Sequence, residues 1–266
     1  MTSADPLGSG IVRRLAAREL GRLQRAFLQD LGRSNLAPHL TLCGSGALHG
    51  VHLHGRDVAD LDFIAPADVA LRFPALGLAA GLGVRRGNVI DTYSVGKQST
   101  IYRDLCLQAR VSPSHGVAAD PEMGSYQASD GSATPVRVLG LTPLTGLKLA
   151  TVRLRGAPLD FWDVWYALRT HPELLASVRD FLAKQATARN RSSHSPPYPF
   201  HAKAALERLE RVKGIWVEQV AFVKEPVSYE TVHADLALWL PELDSRLVGN
   251  VTLKPNTNRE HLECLR

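Results

Sequence analysis

The chain has 266 residues, of which 45% are hydrophobic, and carries a formal charge of +5 with a pI near 9.3. That length and apolar content can bury a sizeable core in one large or two modest domains, and the slight basic excess is compatible with a polyanionic partner. Three scattered cysteines, Cys43, Cys106 and Cys264, exclude a disulfide framework and a zinc spacing and point to a reducing compartment. No apolar run is long enough to cross a bilayer, and the N-terminus, with Ser3, Asp5 and Pro6 before an arginine-rich amphipathic run, lacks the apolar centre of a signal peptide. The expectation is a soluble cytoplasmic protein with no membrane partner.

Apolar residues at Ile11, Leu15, Leu20, Leu23, Phe27 and Leu31 recur at helical spacing, so an amphipathic helix spans 11–31 and stops at Gly32. Leu40, Thr41 and Leu42 read as the end of a strand. Gly44, Ser45 and Gly46 then form a tight turn whose N–H groups can face an anion, and Ala47-Leu48 opens a short helix. From Ala59 to Ile64 the side chains alternate. A strand there puts Asp60 and Asp62 on one face, with Leu61 and Phe63 on the other. Adjacent carboxylates repel, and a hard divalent cation such as Mg2+ makes the pair favourable.

A second helix is expected over 68–82, started or bent by Pro74, and strands over 88–95 and 101–112. Pro113 to Pro135 is rich in Gly, Ser, Asp and Pro and reads as a long loop or lid, followed by a short strand at Val136–Val138. Thr142-Pro143 is a helix start, and that helix carries Lys148 through Arg153 until Gly156-Ala157-Pro158 interrupts it. The next helix places Asp160 and Asp163 on one face among Phe161, Trp162, Trp165 and Tyr166. Thr170 and Glu173 have capping-box spacing ahead of a helix to about Gln185, and a polar linker covers 189–199. Helices over 201–223 and 228–240 precede an irregular end. The chain is thus α/β (α+β), with a core at 1–140 and a helical C-terminal lobe at 141–266 that carries Lys148 and Asp163.

A Gly-Ser turn, an Asp-x-Asp, a later helical lysine and an Asp-x-x-Asp, in that order, resemble the AbiEii/AbiGii-type toxin nucleotidyltransferases, of the minimal polymerase-β-like superfamily. The resemblance covers about Leu40 to Leu168. It rests on Gly44-Ser45, on His54-Gly55-Arg56 with Asp60-Leu61-Asp62-Phe63, on Lys148 within Thr145-Gly146-Leu147-Lys148, and on Asp160-Phe161-Trp162-Asp163. The Gly-Ser to Asp-x-Asp spacing is longer than the commonest form, and Leu144 stands where the family usually has glutamine.

The resemblance implies a mixed β-sheet flanked by helices and transfer of a nucleotide from an NTP to an RNA acceptor, a tRNA 3′ end above all. It also implies a toxin with a cognate antitoxin. Asp60 and Asp62 would hold Mg2+, Gly44 and Ser45 would meet the phosphates, Arg56 would touch phosphate or acceptor, and Lys148 would be a cationic partner of the phosphates, with Asp163 a further site residue and Asp160 a weaker one. Asp104 is the best placed third carboxylate, with Gln108 as the competing occupant of that position. A plain salt bridge from Arg56 to Asp57 or Asp60 is an equal reading, and so is a snorkelling surface Lys148 on helix pattern alone. His49, His52 and His54 read as surface or core histidines rather than a metal cluster, and Trp162 and Trp165 as core between the two halves. The rivals are a small-molecule or protein-hydroxyl nucleotidyltransferase and a degenerate nucleotide-binding domain.

Overall fold

The computed structural model describes residues 21–58, 60–70, 72, 84–86, 92–95, 108–113, 121–189, 200–221 and 223–244. Asp104, Pro74, the 189–199 linker beyond Arg189 and the chain end past Asp244 lie outside the described residues. So do residues 11–20 of the helix expected over 11–31. Two compact units divide the chain, Met1–Lys148 with Val220–Pro226, and Leu149–Gln219 with Val227–Arg266.

In the first unit the described elements are α1 (21–33), β1 (Thr41–Cys43), α2 (Gly44–Ala47), a π-helical turn (Leu48–Leu53), β2 (Asp60–Ala65), α3 (67–70), β3 (Val84–Arg86), β4 (Thr92–Val95), β5 (Gln108–Pro113), β6 (Glu122–Gln127) and β7 (Ala133–Val138). The strands form a mixed sheet in the order β3-β4-β5-β2-β1-β7-β6. Central β1 is buried at all three positions, which is why Thr41-Leu42-Cys43 shows no polar alternation. It runs antiparallel to β2, with Cys43 opposite Asp62, and parallel to β7. β2 does alternate. Leu61, Phe63 and Ala65 are buried while Asp60, Asp62 and Ile64 are half-buried. On the apolar side Phe63 meets Phe27 of α1 at a ring separation of 6.1 Å. α1 buries Leu23, Phe27, Leu28 and Leu31, and it passes through Gly32 to Arg33 rather than stopping at the glycine.

The loop or lid expected over 113–135 is, over its described part, a β-hairpin. β6 and β7 pair antiparallel from Glu122↔Val138 to Gln127↔Ala133, joined by the turn at 128–132. The reason is positional. β6 is an edge strand with Glu122, Met123, Ser125 and Gln127 exposed and only Tyr126 buried, so it carries no apolar alternation. Pro135 is tolerated in β7 because β7 pairs with β1 at Val138, beyond the proline.

The helix α4 (Leu141–Leu154) begins one residue before the expected Thr142 cap, with Leu144 N–H donating to Gly140 O. It ends at Gly156, whose φ of +62° is a left-handed stop. Then come α5 (Pro158–Thr170), α6 (Leu174–Arg189), α7 (Ala202–Arg211), α8 (Trp216–Val220) and α9 (Tyr229–Trp239). The Thr170–Glu173 capping box does not form. Thr170 ends α5, and Glu173 instead meets His171 Nδ1 at 3.1 Å. The helix expected across 201–223 is broken by a 3-10 turn at Lys213–Ile215, where Gly214 disfavours continuation. Ser228 caps α9 by accepting the Thr231 N–H at 3.1 Å. Phe161, Trp162, Trp165, Trp216, Val232 and Leu236 form the core of this second unit, and Trp165 Nε1 donates to Asp235 at 2.8 Å. No helix among the described residues is long and apolar enough to cross a membrane.

Candidate active site

Strand alternation delivers Asp60 and Asp62 to the same, less buried face of β2, as the pattern of this stretch requires. The step from β1 into α2 is made by Gly44, which holds φ +61°. Its bare Cα lies against the Asp62 carboxylate, where a Cβ would collide with Asp62 Oδ2. Glycine is therefore required twice, for its backbone angle and for the close approach. The turn and the helix expected after it merge, since helical backbone already begins at Gly44 and widens into the π-helical turn. His54 ends that turn in the left-handed conformation.

Ser45, next to that contact, is where two cations meet. Lys148 Nζ donates to Ser45 Oγ at 3.1 Å, and Arg56 NH2 donates to the same oxygen at 2.9 Å. Lys148 is only 8% exposed, so the snorkelling reading is set aside; its neighbours Thr145 and Leu149 on α4 are buried completely. Arg56 also donates to the Asp57 backbone carbonyl at 3.3 Å. Gly44, Ser45, Arg56, Asp62 and Lys148 are thus brought together within the first unit, with two guanidinium or ammonium groups beside a strand bearing two carboxylates. That arrangement suits a polyphosphate bound through a hard cation.

Asp104 lies outside the described residues. In the parallel β2–β5 ladder, Gln108 stands in register with Asp60 and Arg110 with Asp62. Among the described residues, no group of three or more His, Cys, Asp or Glu side chains is arranged to hold a metal ion. Asp60 and Asp62 nonetheless fit magnesium, which keeps several waters and takes one or two carboxylates alongside substrate phosphates.

Asp160 and Asp163 are fully buried on α5 in the second unit. Asp160 has evident structural work, since its Oδ2 accepts the Ala157 N–H at 3.1 Å at the head of α5 and Arg155 Nε at 2.9 Å. Trp162 stacks on Tyr166 at 4.6 Å, and both expected tryptophans are core residues of that unit.

The histidines do not converge. His49 is buried, whereas His52 Nε2 lies 3.0 Å from Leu139 O and near Glu122. His49 and His54 instead border a pocket of about 500 Å³ with Arg56, Asp57, Ser129 and Lys224. Lys224 escaped the sequence reading. It enters the first unit through its backbone N–H, which donates to Gly55 O at 2.8 Å, and no local periodicity signals a return from so far along the chain.

This sheet with its Gly-Ser turn and paired aspartates has the nucleotidyltransferase fold. No protein-family model and no curated protein matches the sequence. Among solved structures, the chain is similar to MenT4, a nucleotidyltransferase toxin from Mycobacterium tuberculosis H37Rv, with a TM-score of 0.56 and 18% identity over 84% of this chain and 82% of that one. It is also similar to JHP933 from Helicobacter pylori, with a TM-score of 0.52 and 14% identity over 90% of this chain and 95% of that one. At these identities the likeness is one of fold.

Proposed function

We propose that this protein is a metal-dependent nucleotidyltransferase acting as the cytoplasmic toxin of a toxin–antitoxin pair, moving a nucleoside monophosphate from an NTP to an RNA acceptor, the tRNA 3′ end foremost. The observation that carries the reading is the buried Lys148 bonded to Ser45, which is also held by Arg56 and adjoins the Gly44–Asp62 contact. MenT4, a toxin by name, supports the toxin role through shared fold, and a cognate antitoxin follows from that role.

In this reading Ser45, Arg56 and Lys148 bind the triphosphate and set its orientation. Asp60 and Asp62 would hold magnesium, which would supply Lewis-acid stabilisation of the charge that grows on the phosphates. An acceptor hydroxyl attacks the α-phosphorus. The new O–P bond forms as the bond to the β-phosphate's bridging oxygen breaks, and pyrophosphate leaves. Asp104 is proposed to take the hydroxyl proton, and Asp163 remains a proposed site residue on the resemblance.

One observation favours a second reading. The register partner of Asp60 is Gln108, not a carboxylate, which suits a domain that binds nucleotide without transferring it. Magnesium-dependent NTP binding measured by calorimetry, beside extension of total RNA on a sequencing gel, separates the two. Binding with extension supports transfer, and binding without extension under any NTP supports the second reading.

A further inference from the structure

One backbone contact brings two cations to the same pocket. The Lys224 N–H donates to Gly55 O at 2.8 Å, and Gly55 is the residue before Arg56. Lys224 belongs to the Val220–Pro226 segment, which returns to the first unit after the chain has left it. His54, on the other side of Gly55, holds φ +50°, a left-handed conformation that a histidine keeps only where its surroundings enforce it. Arg56 and Lys224 line a pocket of about 500 Å³ together with His49, His54, Asp57 and Ser129.

Like charges held in one pocket repel each other. Among the described residues the Lys224 ammonium makes no ion pair, and Asp57 is the single carboxylate on the lining. The pocket therefore carries an excess of positive charge, to which two imidazoles and the Ser129 hydroxyl add hydrogen-bonding groups. An oxyanion of the phosphate class relieves the repulsion by taking both cations, the guanidinium through paired N–H bonds and the ammonium as a point charge. Arg56 is also where the pocket meets the Ser45 cluster. Its NH2 donates to Ser45 Oγ at 2.9 Å and its NH1 to Asp57 O at 3.3 Å. Both acceptors are neutral oxygens, and a phosphate oxygen is a stronger acceptor for a guanidinium than either.

We propose that this pocket is a second anion site, taking free phosphate or pyrophosphate, and that its occupant draws Arg56 away from Ser45 and so weakens NTP binding. The anion binding stands on the pocket alone, whereas its effect on NTP rests on the nucleotidyltransferase reading. Lys148 stays on Ser45 throughout, so the NTP site is weakened rather than dismantled. The coupling is reciprocal. A bound triphosphate that holds Arg56 lowers the affinity of the pocket for the anion by the same factor. Pyrophosphate released beside Ser45 is one source of the ligand, and orthophosphate from solution is the other.

The test uses the full chain with Lys224→Ala, Lys224→Glu and Lys224→Arg, beside Lys148→Met. Calorimetry titrates orthophosphate and pyrophosphate without magnesium, and then magnesium–NTP with and without saturating orthophosphate. Losing one charge-assisted contact should weaken orthophosphate binding about tenfold in Lys224→Ala. Lys224→Glu should abolish it, Lys224→Arg should retain it, and NTP affinity without the anion should hold in all three. In wild type orthophosphate should weaken NTP binding about fivefold or more, and in Lys224→Glu that effect should vanish. Pyrophosphate bound about tenfold tighter than orthophosphate in Lys148→Met, where the Ser45 site is impaired, supports the pocket as a seat for the departing product. Equal binding of the two supports it as a seat for phosphate from solution. Orthophosphate binding that persists in Lys224→Glu and disappears in Lys148→Met overturns the proposal, because the anion then sits at Ser45. Failure of wild type to bind either anion overturns it too. Unchanged NTP affinity under saturating orthophosphate also does so, and leaves the nucleotidyltransferase reading standing. Phosphate binding through Lys224 in a protein that binds no NTP defeats that reading and keeps the anion site.

Discussion

Lys148 Nζ donates to Ser45 Oγ over 3.1 Å, joining a helix to a turn 103 residues earlier in the chain. The lysine is buried, so its ammonium has given up most of its water and needs polar partners where it lies. Lys148→Met keeps most of the volume and removes the charge. The expected outcome is a fall of about 100-fold in nucleotidyl transfer with little loss of stability, read by initial rates beside a thermal melt.

Gly44→Ala should be worse for the fold. The new methyl group must sit at φ +61° and at the position of Asp62 Oδ2. A left-handed alanine costs about 1–2 kcal/mol before the carboxylate is displaced. Chemical denaturation should show at least that loss, with magnesium-dependent NTP binding falling alongside it.

The paired aspartates and Lys148 differ in how readable they are. The shared face of Asp60 and Asp62 follows from a period of two and needs no tertiary knowledge. The burial of Lys148 does not, because α4 mixes Leu144, Thr145, Lys148 and Leu149 on its covered surfaces and no single apolar stripe shows which way the lysine faces. The β6–β7 hairpin was illegible for a related reason. An edge strand with one buried side chain has the composition of a loop, and only its pairing with β7 makes it a strand. Lys224 is placed by a backbone bond to Gly55, which leaves no trace in side-chain pattern. The helix starts differ from the sequence pattern by one residue, α4 opening at Leu141 ahead of Thr142 and α9 at Tyr229 with Ser228 as its cap, a margin within which helix ends are not set by side-chain pattern.

Asp160 provides a contrast with the site residues. It accepts the Ala157 N–H and the Arg155 guanidinium at the start of α5. Asp160→Ala should cost about 2 kcal/mol through loss of that cap. If its work is structural, transfer by the protein that remains folded should match wild type, which an active-site titration against a melt can establish.

The hairpin turn carries a pH-dependent contribution. Burial pushes the Asp130 carboxyl upward, but hydrogen bonds from the Ser132 side chain and backbone and the charges of Arg25 and Arg22 outweigh it and hold the group below its ordinary 3.8. A depressed folded-state pKa means the unfolded chain binds the proton more readily. The contribution is therefore complete well above pH 3.8 and declines as pH falls below it toward the folded value. In Asp130→Asn the stability difference from wild type should shrink between pH 6 and about pH 3, as followed by denaturant midpoints. A constant difference would show that Asp130 carries no folding-linked proton.

The most direct measurement is incubation of the purified protein with total tRNA, magnesium and each α-labelled NTP, beside Asp62→Ala. Asp62 adjoins Gly44 and occupies the open face of β2, so its loss should remove the metal-bound triphosphate without touching the apolar core. Wild type should label tRNA, with one NTP preferred, and Asp62→Ala should leave it unlabelled. Equal labelling by both proteins, or no labelling by a folded wild type with any NTP, would contradict it.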